Sequence, residues 1–71
     1  MNKNFRYMLD LLEKPVPEIV SEVKKRFPAR DLRIAINLYP INRQMLINMY
    51  RLTPDQATKL DLAIDAVRKD I

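Results

Sequence analysis

The sequence predicts an all-α protein, a small bundle of four to five short helices, on three observations. Apolar residues recur three and four positions apart, the spacing of one helical face, and no stretch shows the clear alternation of a half-buried strand. The 71 residues contain no glycine. The five prolines fall between the periodic segments or at their starts, where they act as helix punctuation. Residues 1 to 71 make a single domain, whose core is expected to supply no more than roughly 3–5 kcal/mol of net stability without a staple. With no cysteine and no histidine, disulfides, thiol chemistry and the common zinc ligand sets are excluded. A partner subunit is the support that remains.

The first helix is predicted over residues 4–14, with Phe5, Met8, Leu9 and Leu12 on one face, Asn4 as its cap and Asp10 paired with Lys14 four residues on. Pro15 stops it, having no amide to donate and pushing Lys14 out of the helical region. Pro17 is predicted to open the second helix, with Glu18 beside the positive helix end and Ile19, Val20, Val23 and Phe27 as the apolar face. Phe27 followed by Pro28 ends it, and Pro28 opens the next element. From Ala29 to about Leu38, the positions Leu32, Ala35, Ile36 and Tyr39 form one stripe, which Ile34 and Leu38 widen. Pro40 is expected to end that helix, and Asn42 to cap another in which Met45, Leu46 and Met49 face the core. The last element has the strongest start signal: Thr53, Pro54, Asp55 and Gln56 spell a capping box with proline in the first turn. Leu60, Ile64, Val67 and Ile71 continue along one face, while Asp55 with Lys59 and Asp65 with Lys69 support the wet side.

Charge placement points to an anionic partner. The net charge is +4, and residues 24–51 hold seven basic side chains against a single acid, Asp31. Such a surface suits phosphates, because cations there release condensed counterions from a nucleic acid. Lys24, Lys25, Arg26, Arg30 and Arg33 are the candidate phosphate contacts; the triplet Lys24 to Arg26 also complements a helix C-terminus. Beyond them, Asn42, Arg43, Gln44, Ile47, Asn48 and Arg51 share the outer side of the helix expected from Asn42. Arg can donate two hydrogen bonds to guanine, and Asn or Gln can pair with adenine through a donor and an acceptor. Ile47 among them is either an ordinary exposed apolar residue or one that meets a thymine methyl.

These residues carry a resemblance. Ala35 followed three positions later by Leu38, the run Asn42 to Met49 and the run Leu52 to Leu60 resemble corresponding segments of Cro-like members of the lambda-repressor-like helix-turn-helix proteins, over about forty residues from Phe27 to Ala66. The resemblance implies a helix-turn-helix at about residues 29–51, the six outer residues facing the major groove, and Leu46 and Met49 packing inward. Tyr39 stands where the family places glycine and one residue is inserted near Pro40, so a lengthened, irregular turn is expected there. The implied function is a small sequence-specific transcriptional regulator, phage or prophage encoded, acting on duplex DNA as a homodimer. The C-terminal stripe ending at Ile71 is the expected dimer surface.

The alternative is a helical protein-binding module, an antirepressor or inhibitor that does not bind DNA, since one fold serves many functions. An enzyme is not expected: the serine and threonine hydroxyls are Ser21, Thr53 and Thr58, the acids are scattered, and no glycine-rich loop can cradle a phosphate. No cofactor or metal is implied. No apolar run approaches the ~18 residues of a membrane span, and Phe5 to Leu12 is too broken by Arg6 and Asp10 to read as a signal peptide. The expectation is a cytoplasmic protein with no membrane partner.

Overall fold

The computed structural model describes the backbone of residues 3–71 and the side chains from Arg6 onward. Four helices follow one another, α1 (Lys3–Leu12), α2 (Val16–Arg26), α3 (Ala29–Tyr50) and α4 (Pro54–Asp70), with no strand among the described residues. The all-α bundle expected from the spacing is therefore present.

α1 stops at Leu12, where the amides of Glu13 and Lys14 close back three residues onto Asp10 and Leu11 (3.2 and 3.1 Å). This tightened last turn uses up two otherwise orphaned carbonyls before Pro15. Asp10 pairs with Arg6 at 3.5 Å, not with Lys14 as expected. Asn4 falls inside α1, and the side chains of Asn4 and Phe5 lie outside the described ones. In α2, Pro15 occupies the cap position and Pro17 the first turn, where a missing amide costs nothing. Phe27 leaves the helix in extended conformation and Pro28 holds it there.

The third element corrects the sequence reading. α3 runs unbroken for 22 residues with Pro40 inside it, so the expected turn, and with it a separate helix starting at Asn42, is absent. The physical reason is tertiary. Pro40 removes the amide that would bond the Ile36 carbonyl, a loss of about 3 kcal/mol in a helix interior. The helix is gripped on both sides of that defect: Tyr39 is buried against Leu12, Leu52 and Leu60, and Leu46, Ile47 and Tyr50 pack on the same cluster. Pro40 itself is exposed, leaving the ring clear of the core. α3 ends without glycine. Arg51 takes the left-handed conformation (φ 53°, ψ 48°), and the amides of Arg51 and Leu52 both return to the Ile47 carbonyl, the arrangement that usually selects glycine.

α4 begins as its capping box predicts. The Gln56 amide donates to Thr53 Oγ1 at 3.2 Å and the Thr53 amide to Gln56 Oε1 at 2.9 Å. α4 packs on all three other helices, with Ala57, Leu60, Ala63 and Val67 buried. Leu60 and Val67 thus belong to the bundle's own core, which corrects the expectation that their stripe is a spare dimer surface. A second buried cluster joins Leu11, Ile19 and Ala63, with Tyr7 and Val23 against it. Lys59 Nζ donates to the Leu12 carbonyl (3.2 Å) at the end of α1, and Lys24 reaches Asp70 (2.6 Å) between the ends of α2 and α4. Packing is loose for a protein interior: among the described residues no large side chain is fully buried, and an apolar pocket of about 140 Å³, partly open to solvent, lies among Met8, Ile19, Leu32, Ile36, Leu60 and Val67.

Candidate interaction surface

α3 presents two apolar faces because its apolar residues follow two helical registers at once. One register, Leu32, Ile36, Tyr39, Leu46, Ile47 and Tyr50, turns to the bundle, every member buried or half-buried. It also carries Arg43. The Arg43 guanidinium makes two bonds to Asp61 on α4, from Nε to Oδ1 (2.8 Å) and from Nη2 to Oδ2 (3.0 Å), and the Tyr39 hydroxyl donates to the same Oδ1. Hydrogen bonds from Arg43 and then Tyr39 hold the Asp61 carboxyl below its usual range. The same pairing raises Arg43, while burial, and then the carboxylate it bonds, push the Tyr39 hydroxyl up to about 12. The three groups join the helix segments flanking Pro40 to α4.

The other register is Ile34, Leu38, Ile41, Met45 and Met49. Their exposures are 53%, 45%, 78%, 50% and 55%. At 100° per residue the five fall in a sector of roughly 80°, and at 1.5 Å per residue the row is about 22 Å long. Its flanks are uncharged. Asn37, Gln44 and Asn48 lie along one side, Ala35 and Asn42 along the other, and Arg43, the one charged side chain between Ile34 and Tyr50, faces inward.

No family model, curated protein or solved structure matches this chain. The likeness to Cro-like regulators therefore has only its own motif residues behind it.

The six residues expected to read bases do not converge. Arg43 is committed to Asp61, Asn42 and Ile47 are half-buried, and Ile47 packs against the core cluster. Gln44 Nε2 donates to Asn48 Oδ1 at 3.0 Å, which is a local bond between the two exposed amides. Arg51 is exposed but serves as the left-handed terminus of α3. Of the inward pair implied by the resemblance, Leu46 is on the core side and Met49 is not; Met45 is exposed as well. Among the phosphate candidates, Lys24 is paired with Asp70 and Arg26 stacks over the Tyr7 ring, 4.5 Å from its centre. Lys25, Arg30 and Arg33 remain exposed around the α2–α3 junction. A break at Pro40 hides the outer apolar row in the sequence. Read as one helix, the same sequence shows residues 34, 38, 41, 45 and 49 at intervals of four, three, four and four.

Proposed function

We propose that the protein is a small helical protein-interaction module whose working surface is the outer face of α3, on which an amphipathic helix of a protein docks. The observation that carries this reading is the row from Ile34 to Met49. Single exposed apolar residues are normal on any surface, but a contiguous row marks an interaction site. Helix-on-helix docking reads anchors at three- and four-residue spacing, and two of the five anchors are methionines, whose flexible side chains adapt to a partner. The commitment of Arg43 to Asp61 further favours this reading over base recognition. An inhibitor or antirepressor role belongs to this class.

A second reading has one observation in its favour. The exposed cluster of Lys25, Arg30 and Arg33 suits duplex DNA held through its phosphates, as the sequence resemblance implies.

The test places a photoreactive amino acid at Ile41 and, as a control, at exposed Thr58 on α4, in the native cell. Adducts with protein at Ile41 and not at Thr58 are expected. Equal labelling at both positions, or no protein adduct at Ile41, overturns the reading. In parallel, a mobility shift with duplex DNA that persists in Ile41→Lys but is lost in a Lys25, Arg30 and Arg33 triple alanine variant would establish the phosphate reading instead.

A further inference from the structure

We infer that the helix docked on α3 is α3 of a second copy, paired antiparallel about a twofold axis close to Ile41. The inference rests on reading that face as an interaction surface, and it adds the identity of the partner.

Self-complementarity is the first argument. Reversing the row about Ile41 sets Ile34 against Met49 of the second copy and Leu38 against Met45, with the two Ile41 side chains meeting at the axis. Every large exposed apolar residue of the row then has an apolar counterpart, as an isologous interface requires. Ile41, the most exposed of the five at 78%, occupies the centre, where interface residues contribute most.

Charge is the second argument. A chain of net charge +4 meets a copy of itself most readily across a surface free of like charges, and from Ile34 to Met49 this row is one, with Arg30 and Asp31 of opposite sign at its N-terminal end. Arg43 is turned inward onto Asp61, and the flanks are Asn37, Asn42, Gln44 and Asn48. The same flanks disfavour other occupants. A membrane-surface helix borders its apolar face with Lys and Arg, and a partner recognised by charge would find nothing to pair with here. Orientation follows from the ends of α3. A parallel pair would bring Arg30 and Arg33 of both copies together beside two positive helix N-termini, whereas the antiparallel pair sets each N-terminal end, with Arg30, Asp31 and Arg33, against the negative C-terminal end of the other α3, where Arg51 lies opposite Asp31.

Size is the third argument. The exposed fractions of the five side chains amount to roughly 500 Å² per copy, or about 1,000 Å² for the pair, the lower bound for a specific interface. Complete burial of the five would thus just reach that bound, so the pairing is a weak and concentration-dependent one.

The absence of cysteine from the chain makes single-cysteine variants clean reporters. Sedimentation equilibrium of the wild type from low to high micromolar concentration is expected to show a monomer–dimer equilibrium, which Ile41→Lys weakens by about tenfold or more while its circular dichroism is unchanged. On oxidation, Ile41→Cys is expected to form a disulfide dimer alone, and Ile34→Cys only when mixed with Met49→Cys. Dimers of Ile34→Cys alone would overturn the antiparallel arrangement. A wild type that stays monomeric at high micromolar concentration, or an Ile41→Lys variant that dimerises as well as wild type, would overturn self-pairing. If that monomer still gives a specific adduct at Ile41 with a different protein in cells, the interaction reading stands and only the identity of the partner is wrong. Failure of both sinks both.

Discussion

Replacing Pro40 by alanine is expected to stabilise the protein, a result opposite to the one a turn would give. Within a helix, proline is less favourable than alanine by about 3 kcal/mol, and in α3 the loss has a defined place: Pro40 has no amide to donate to the Ile36 carbonyl four residues back. The ring is exposed, so alanine sacrifices little packing. Against the gain stands the greater freedom of alanine in the unfolded chain, about 0.4–1 kcal/mol. The net expectation is about 2 kcal/mol, which in a domain of this size raises Tm by roughly 8–16 °C. Urea unfolding followed by far-UV circular dichroism measures it directly, and the m value should not change. Were the chain to turn at Pro40, proline would instead be pre-set for the bend, and alanine would cost up to about 1 kcal/mol. A Pro40→Ala variant that is less stable than wild type, or that gains less than about 0.5 kcal/mol, refutes the continuous helix.

Four further variants test how α3 and α1 are held. Asp61→Asn should cost about 2 kcal/mol, most of it from the buried Tyr39 hydroxyl losing a charged acceptor, because the Arg43 pair is partly exposed and screened; in urea unfolding its effect should be non-additive with Tyr39→Phe. Since the Asp61 carboxyl is held below its usual range, its contribution is complete above the ordinary carboxylate pKa of about 4 and disappears as pH falls through the depressed value. Acid titration of stability in wild type and Asp61→Asn should therefore converge at low pH. For Tyr39 the sign reverses, with stabilisation full below about pH 10 and lost as pH rises through about 12; Tyr39→Phe should remove that last ionisation from the ultraviolet absorbance titration. Arg51→Gly should be neutral or stabilising by up to about 1 kcal/mol, as glycine takes the left-handed conformation without strain, and a clear loss of thermal stability would contradict the cap. Tyr7→Phe should gain up to about 1 kcal/mol, because the buried Tyr7 hydroxyl has no hydrogen-bond partner among the described residues while the ring that Arg26 stacks on is kept; a loss in urea unfolding would mean the hydroxyl is satisfied.

What the sequence disclosed and what it concealed divide at Pro40. Local signals with one physical reading were legible: Pro15 and Pro28 as breaks, and Thr53 with Gln56 as a capping box. Pro40 carries the same local signal as Pro15, and yet the helix continues, because Tyr39, Arg43 and Leu46 are fastened to α1 and α4 by contacts between residues about twenty or more apart in sequence. No window of a few residues contains that information. The site depends on the same residue: a helix split at Pro40 places Met45 and Met49 in the core, turns Arg43 outward, and divides the row from Ile34 to Met49 between two elements. Arg51 was concealed for a related reason, since a left-handed terminus is ordinarily signalled by glycine or asparagine and this chain has no glycine to give it away.

That the outer row is bare follows from helix lengths. The 22 residues of α3 amount to about 33 Å of helix measured along its axis, in a molecule 28 Å in its longest principal dimension, whereas α1 and α2 amount to roughly 15 and 17 Å and α4 to about 26 Å. All the cover that these three supply lies on the Tyr39 side: Leu12 of α1 and Leu60 of α4 meet it there, and α2 packs chiefly on α4. A helix apolar on two faces needs a layer on each, and the described chain contains one. Breaking α3 at Pro40 would relieve the problem by letting the second half fold over the first, but the bonds from Tyr39 and Arg43 to Asp61 hold both halves against α4. The contacts that keep the helix continuous are thus the ones that keep five apolar side chains in line and in water. A protein with so loose a core has little stability to spare for leaving them there, and covering the row on association recovers part of it.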